Sequence, residues 1–186
     1  MAMFSTAAWV AHDLGIAVGV GGALFGRVAL EPSVREISDR EERGMVVNAA
    51  WRRYGVVQLS ALGVMAATWF VGRLKLTGAA VNGASQPLVT AKDALVACTL
   101  GSAVGAAIAG SKLAQQRQEG RDGVPMNSHG ETADDATPAA RRLGRLTDAF
   151  GLVNLVAGAG VIVVTTVLAM QAGKSSRWSA VSRFLP

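Results

Sequence analysis

Residues 7–30 read AAWVAHDLGIAVGVGGALFGRVAL, and this stretch decides the fold. A bilayer-spanning helix needs about 20 mostly apolar residues. The stretch meets that length while carrying His12 and Asp13 near one end and Arg27 near the other. It also holds glycines at positions 15, 19, 21, 22 and 26. In water each helical glycine costs about 1 kcal/mol relative to alanine. Between helices in lipid, small residues four apart form the stripe along which a neighbour approaches closely. Gly15/Gly19 and Gly22/Gly26 have that spacing. The stretch is therefore expected to be a membrane span with a packing face and a polar cluster at one end.

The same texture recurs along the chain. Spans are expected at about 6–30, 54–76, 88–112 and 147–172, with charged loops over 31–53 and 113–146. A soluble chain with 51% hydrophobic residues would alternate its helix faces rather than collect apolar residues into long runs. The expected fold is one all-α integral membrane domain over residues 1–186, a four-helix bundle. No Lys or Arg precedes the first run, so it lacks the basic region of a cleaved signal and reads as a retained span. A single cysteine, Cys98, excludes an intrachain disulfide framework or thiolate cluster. It is expected to be a small buried packing residue.

The net charge of +5 does not point to nucleic acid, because most basic residues flank apolar runs. Twelve Lys or Arg follow the first and third spans, and six lie on the other side. That asymmetry places both large loops in the cytoplasm and both termini outside, in the inner (plasma) membrane.

Between the spans, Glu31-Pro32 is expected to stop the apolar pattern, with Pro32 placed to open a new helix. Ser38 and Glu41 have capping-box spacing, and a charged helix from there should run into the second span, with Trp51 and Tyr54 at the interface. Thr90 and Asp93 are also at capping-box spacing. Thr137-Pro138 looks like a cap followed by a first-turn proline. Asp148 is expected in a first turn. Loop 115–145, rich in Gly, Pro, Asp and Ser, is expected to be mobile in its middle, and the basic tail after residue 173, with Trp178 and Phe184, to lie on the membrane surface. Gly101/Gly105 offer a second packing stripe.

A faint duplication underlies the pattern. Tyr54-Gly55-Val56-Val57-Gln58-Leu59 matches Phe150-Gly151-Leu152-Val153-Asn154-Leu155, and Ala11-His12-Asp13 matches Ala91-Lys92-Asp93. Two hairpins in the same orientation would be related by an axis along the membrane normal. His12/Asp13 and Lys92/Asp93 would then meet near the outer end, and Gln58 and Asn154 would face each other in the inner half.

Ionisable residues inside spans face protein or water and mark function. His12, Asp13, Lys92, Asp93, Gln58 and Asn154 therefore form the candidate ligand or proton site. The alternative is structural: Asp13 paired with Lys92 at the interface, Asp93 a helix cap, and Gln58 with Asn154 an interhelical hydrogen bond. Haem held between two histidines would need a partner for His12, because the other histidine, His129, lies in a loop. No metal set occurs at helical spacing. Ser60, Ser102 and Thr165 have no histidine base beside them, so no nucleophilic enzyme is expected.

His12, Gly15, Gly21-Gly22, Phe25 and then Pro32 resemble the opening of small bacterial four-span proteins distantly related to the copper resistance D membrane domain. The resemblance covers residues 8–35. It departs where the group commonly has a Trp just before the Gly-Gly pair, since the chain reads Val18-Gly19-Val20 there. It implies a four-span fold, and any copper role it implies would rest on His12 alone.

The leading functional expectation is a non-enzymatic accessory or structural subunit without a cofactor. It would pack against other membrane subunits, or a second copy, through faces at Gly15, Gly19, Gly22, Gly26, Gly101 and Gly105. The next is a small transporter or permeation unit using the outer polar cluster and the Gln58/Asn154 layer. The third is a haem or quinone redox subunit.

Overall fold

The structure is a computed structural model that describes residues 2–76, 86–116, 124–127 and 130–173. The linker over 77–85, His129 and the basic tail with Trp178 and Phe184 lie outside the described residues. Four long helices dominate: α1 (Ala2–Phe25), α2 (Arg40–Leu76), α3 (Gln86–Ala114) and α4 (Pro138–Gly173). Each contains a segment long and apolar enough to cross a membrane: Thr6–Glu36, Arg40–Arg73, Gln86–Ala114 and Pro138–Gln171. Leu14, Phe25, Val28, Val56 and Val156 are each more than half exposed on the bundle's outside. Large apolar side chains outside and polar ones inside suit a surrounding as apolar as the core.

The first helix does not end at Pro32. Proline cannot donate to the carbonyl four residues back, and its ring crowds that carbonyl. The chain widens into a π-helical turn over Gly26–Leu30, where the Glu31 N–H reaches the Gly26 carbonyl. It then continues through Glu31–Ser33 and a 3₁₀ turn over Val34–Glu36. The break falls at Ile37, whose backbone is extended (φ −80°, ψ 120°).

The expected charged extension into the second span is present, since α2 begins at Arg40 and runs 37 residues without a break. Its cap is Asp39 rather than Ser38: the Asp39 carboxylate accepts from the Glu41 and Glu42 N–H groups at 2.7 and 3.3 Å. At α4 the expected cap holds, with the Ala140 N–H donating to Thr137 Oγ1 at 3.1 Å. Asp148 lies well inside α4. It is no first-turn residue, and its backbone carbonyl accepts from the Arg27 guanidinium at 2.7 Å.

The six glycines expected to pack divide unevenly. A side chain at Gly15 or Gly19 would run into α2 at Ala61, Leu62 and Met65; at Gly22 it would strike the Tyr54 ring, and at Gly26 the Trp51 ring. The whole glycine stripe of α1 is thus covered by α2. Trp51 and Tyr54 pack against α1, and Tyr54 donates its hydroxyl to the Val18 carbonyl at 2.5 Å. Gly105 faces Phe150 of α4, whereas Gly101 faces no side chain at all. Cys98 is exposed rather than buried.

Packing is closest within the two hairpins, α1 with α2 and α3 with α4, while α1 against α4 and α2 against α3 close the bundle less tightly. That arrangement is what a twofold axis exchanging the hairpins would produce. Several positions matched by the register that sets Ala11 on Ala91 and Tyr54 on Phe150 agree in burial. His12 and Lys92 are both buried, as are Ile16 and Val96, Ala23 and Ala103, and Met65 and Val161. Where Gly19 of α1 receives Leu62 of α2, the matching Thr99 of α3 lies against Gly158 of α4, so large and small are exchanged.

The core is a dry layer of Ile16, Leu62, Met65, Val96 and Val161. At the other end of the bundle, residues 124–127 and 130–137 form a turn held against α2. Met126 donates its N–H to the Arg40 carbonyl at 2.9 Å, and Arg40 pairs with Asp135 at 3.0 Å. A second, smaller apolar cluster of Leu113, Val124, Ala136 and Ala140 backs the turn. Gly130 takes φ 82° against Glu31, a conformation that L side chains rarely adopt.

Candidate functional site near one end of the bundle

His12 lies one turn beyond the dry core on α1, and Lys92 is its counterpart on α3. A partly polar helix leaves little choice of orientation here, since either residue facing outward would meet apolar surroundings. Both turn inward: Lys92 is 0% exposed and His12 is 3% exposed.

Two indole rings enclose them. The Lys92 ammonium sits 4.0 Å from the Trp69 ring centroid and 5.6 Å from that of Trp9. The imidazole of His12 flanks the same rings, edge-on to Trp9 at 6.1 Å and tilted to Trp69 at 6.3 Å. His12 Nδ1 lies 3.0 Å from the Met65 carbonyl. A carbonyl only accepts, so the ring hydrogen is on Nδ1 and the Nε2 lone pair points away from α2. Among the described residues, neither His12 Nε2 nor Lys92 Nζ has a hydrogen-bond partner.

The neighbouring carboxylates do not supply one. Asp93 is no helix cap, because α3 starts seven residues earlier at Gln86. It accepts from the Trp69 indole N–H at 2.7 Å and pairs with the Arg73 guanidinium at 2.6 Å. Asp13, on the far side of α1 from the core, is exposed. The expected Asp13–Lys92 ion pair is not among those formed by the described residues, which are Arg40–Asp135 and Arg73–Asp93. Lys92 is thus a buried amine held against aromatic faces, with neither Asp13 nor Asp93 forming an ion pair with it.

Beyond the dry layer lies the second polar site. Asn154 is 2% exposed and donates to the Thr99 carbonyl at 2.8 Å. Gln58 donates to the Gly19 carbonyl at 3.3 Å and to Asn154 Oδ1 at 3.4 Å. Thr99 and Gly19 are counterparts in the duplicated register, so each amide holds the equivalent carbonyl of its own hairpin. The two amides then meet each other across the bundle, joining all four helices.

The structure therefore brings His12 together with Lys92, and Gln58 together with Asn154, and leaves Asp13 outside. Trp9, Trp69 and Arg73 belong to the outer cluster without having been singled out in the sequence. The spacing of Trp69 and Arg73, four apart on α2, is the signal that could have found two of them, since such residues share a helix face. Among the described residues no group of three or more His, Cys, Asp or Glu is placed to hold a metal ion.

Comparisons of the chain with family models, with curated proteins and with solved structures return no match. Function must be argued from the site.

Proposed function

We propose that the chain is a multi-pass protein of the inner (plasma) membrane, both termini outside and both large loops cytoplasmic, and that it serves as a small transporter or permeation unit. The observation that carries this reading is the pair of buried, unpartnered nitrogens, His12 Nε2 and Lys92 Nζ. Leaving a buried polar atom unpaired costs about 1–3 kcal/mol, and more for a charged one. A bundle that needed only to pack would place an apolar residue at each position.

Two further features support it. The outer pair and the Gln58/Asn154 layer are separated by the dry Leu62, Met65, Val96 and Val161 layer, the barrier that a permeation unit must open and close. The glycine stripe of α1, which would have served partner subunits, is taken up by α2. The test is flux into proteoliposomes carrying the purified chain. Wild type should move protons or small ions under a gradient, and Lys92→Met and Asn154→Leu should each lower the rate at least tenfold. Equal rates in all three would remove the reading.

One observation favours the accessory-subunit reading as the second: the outward face of α3 at Gly101 is uncovered by the chain itself. Native mass spectrometry of protein extracted gently from its membrane tests it, a stoichiometric larger complex being the supporting result. A haem, quinone or copper role would draw on the same Nε2 lone pair, and a visible absorption band lost in His12→Ala would be its signature. No enzymatic activity is proposed.

A further inference from the structure

We infer that His12 and Lys92, enclosed by the same two indole rings, form one coupled proton-binding site, in which a proton on either nitrogen disfavours a proton on the other. The inference rests on the reading above and names the species that the outer site binds.

The argument begins with what surrounds each nitrogen. The Nε2 atom of His12 presents a lone pair, because Nδ1 keeps its hydrogen on the Met65 carbonyl at 3.0 Å. Lys92 Nζ reaches no acceptor, and the Trp69 face at 4.0 Å is its main neighbour. A desolvated cation–π contact recovers only part of what a buried ion loses in leaving water. The ring therefore does not by itself hold a permanent ammonium at this depth.

The charged and titratable neighbours are few, and they can be taken helix by helix. From α1 come His12 and Asp13, and Asp13 is exposed. From α2 comes Arg73, and from α3 itself Asp93; these two are bound to each other at 2.6 Å. From α4 comes none, since no ionisable residue occurs between Phe150 and Gln171. With Asp93 bound to Arg73 and Asp13 exposed, neither carboxylate pairs directly with either nitrogen, while His12 and Lys92 each lie within reach of the other's charge. Two like charges in one dry site exclude each other, so the pair accepts one proton readily and a second only with difficulty. A proton also needs no cavity, which suits a chamber already filled by two indole rings.

The chain has two histidines, so His129→Asn leaves His12 as the sole imidazole. In that background, ¹⁵N NMR of the full chain in lipid nanodiscs follows the His12 ring through a pH titration. The expected result is that Lys92→Met displaces the His12 midpoint by at least one pH unit, a tenfold change in proton affinity. Lys112→Met, at an exposed site near the other end of α3, should leave it in place. A midpoint unmoved by Lys92→Met overturns the inference. So does a midpoint that moves in wild type when chloride is replaced by gluconate, because the chamber would then hold an anion. The companion flux assay separates the two levels: coupled titration without flux keeps the coupled site and removes transport, whereas flux without coupling does the reverse.

Discussion

Lys92→Met offers a direct test of whether the outer cluster is built for something other than stability. Two opposing terms are at work in the folded protein. The ammonium gains about 2 kcal/mol from the Trp69 face, which it meets at 4.0 Å with Trp9 behind it at 5.6 Å. Against this stands a desolvation penalty of several kcal/mol for a side chain that is 0% exposed and has no acceptor. Methionine has nearly the same length, fills the same space and makes favourable contacts with aromatic rings. Desolvation wins, and Lys92→Met should stabilise the bundle by about 1–3 kcal/mol, the range seen when buried ionic groups give way to apolar ones. Reversible unfolding in mixed micelles, followed by the fluorescence of the chain's four tryptophans and by helicity, measures the difference. Lys92→Gln, which keeps a polar group and loses the charge, should gain less. A loss of 1 kcal/mol or more in the methionine variant would refute the reasoning. It would make the Lys92–Trp69 contact a structural clamp.

Other features make their own predictions. A Cβ on Gly19 would stand 2.8 Å from Leu62 Cγ, so Gly19→Ala should destabilise by about 1–3 kcal/mol and Leu62→Ala by about 2–5 kcal/mol. The double variant should lose at least about 1 kcal/mol less than their sum; strict additivity in the same unfolding assay would contradict the packing described. Asn154→Leu removes the donor to the Thr99 carbonyl and the acceptor for Gln58, and should cost about 1–2 kcal/mol. Gln58→Leu, whose bonds are 3.3 and 3.4 Å, should cost less, and the reverse order would be hard to reconcile with the geometry. Gly44→Val would drive a side chain into the Val124 carbonyl and push out the turn at the inner end. Limited proteolysis should then cut within 124–137 while the His12 titration is unchanged; an uncut turn would mean that Gly44 does not seat it.

How far the fold could be read from the sequence follows from which forces leave a trace in residue order. The four helices were legible because apolar run length is set by the span itself. The polar pairs were legible too: His12, Lys92, Gln58 and Asn154 avoid an apolar outside, so their inward direction is dictated. The phase of the apolar positions was not. When the surroundings are as apolar as the core, an outward Gly101 or Cys98 looks the same in the sequence as an inward Gly105. Local chemistry misled where two residues competed for one role. Asp39 rather than Ser38 caps α2 because a carboxylate one residue on reaches two N–H groups. Asp93 has cap spacing from Thr90, but the Arg73 guanidinium and the Trp69 indole on a neighbouring helix bind it instead. Pro32 failed to end its helix because a π turn absorbed it, and no residue pattern specifies that response.

The meeting of unlike polar residues across the bundle has a consequence for how such a site can arise. In a dimer of identical two-helix chains, any residue lying across the axis from its equivalent must face a copy of itself. Histidine would oppose histidine there, lysine would oppose lysine, and two amides would be identical. Joining the halves in one chain lifts that constraint, and the molecule uses the freedom at both polar levels. Histidine shares its indole walls with lysine at one and glutamine meets asparagine at the other, and the layer between is unlike too, with Leu62 filling the space at Gly19 while Thr99 lies against Gly158. One continuous chain thus has two distinguishable nitrogens in its bundle where a symmetric dimer would have one kind.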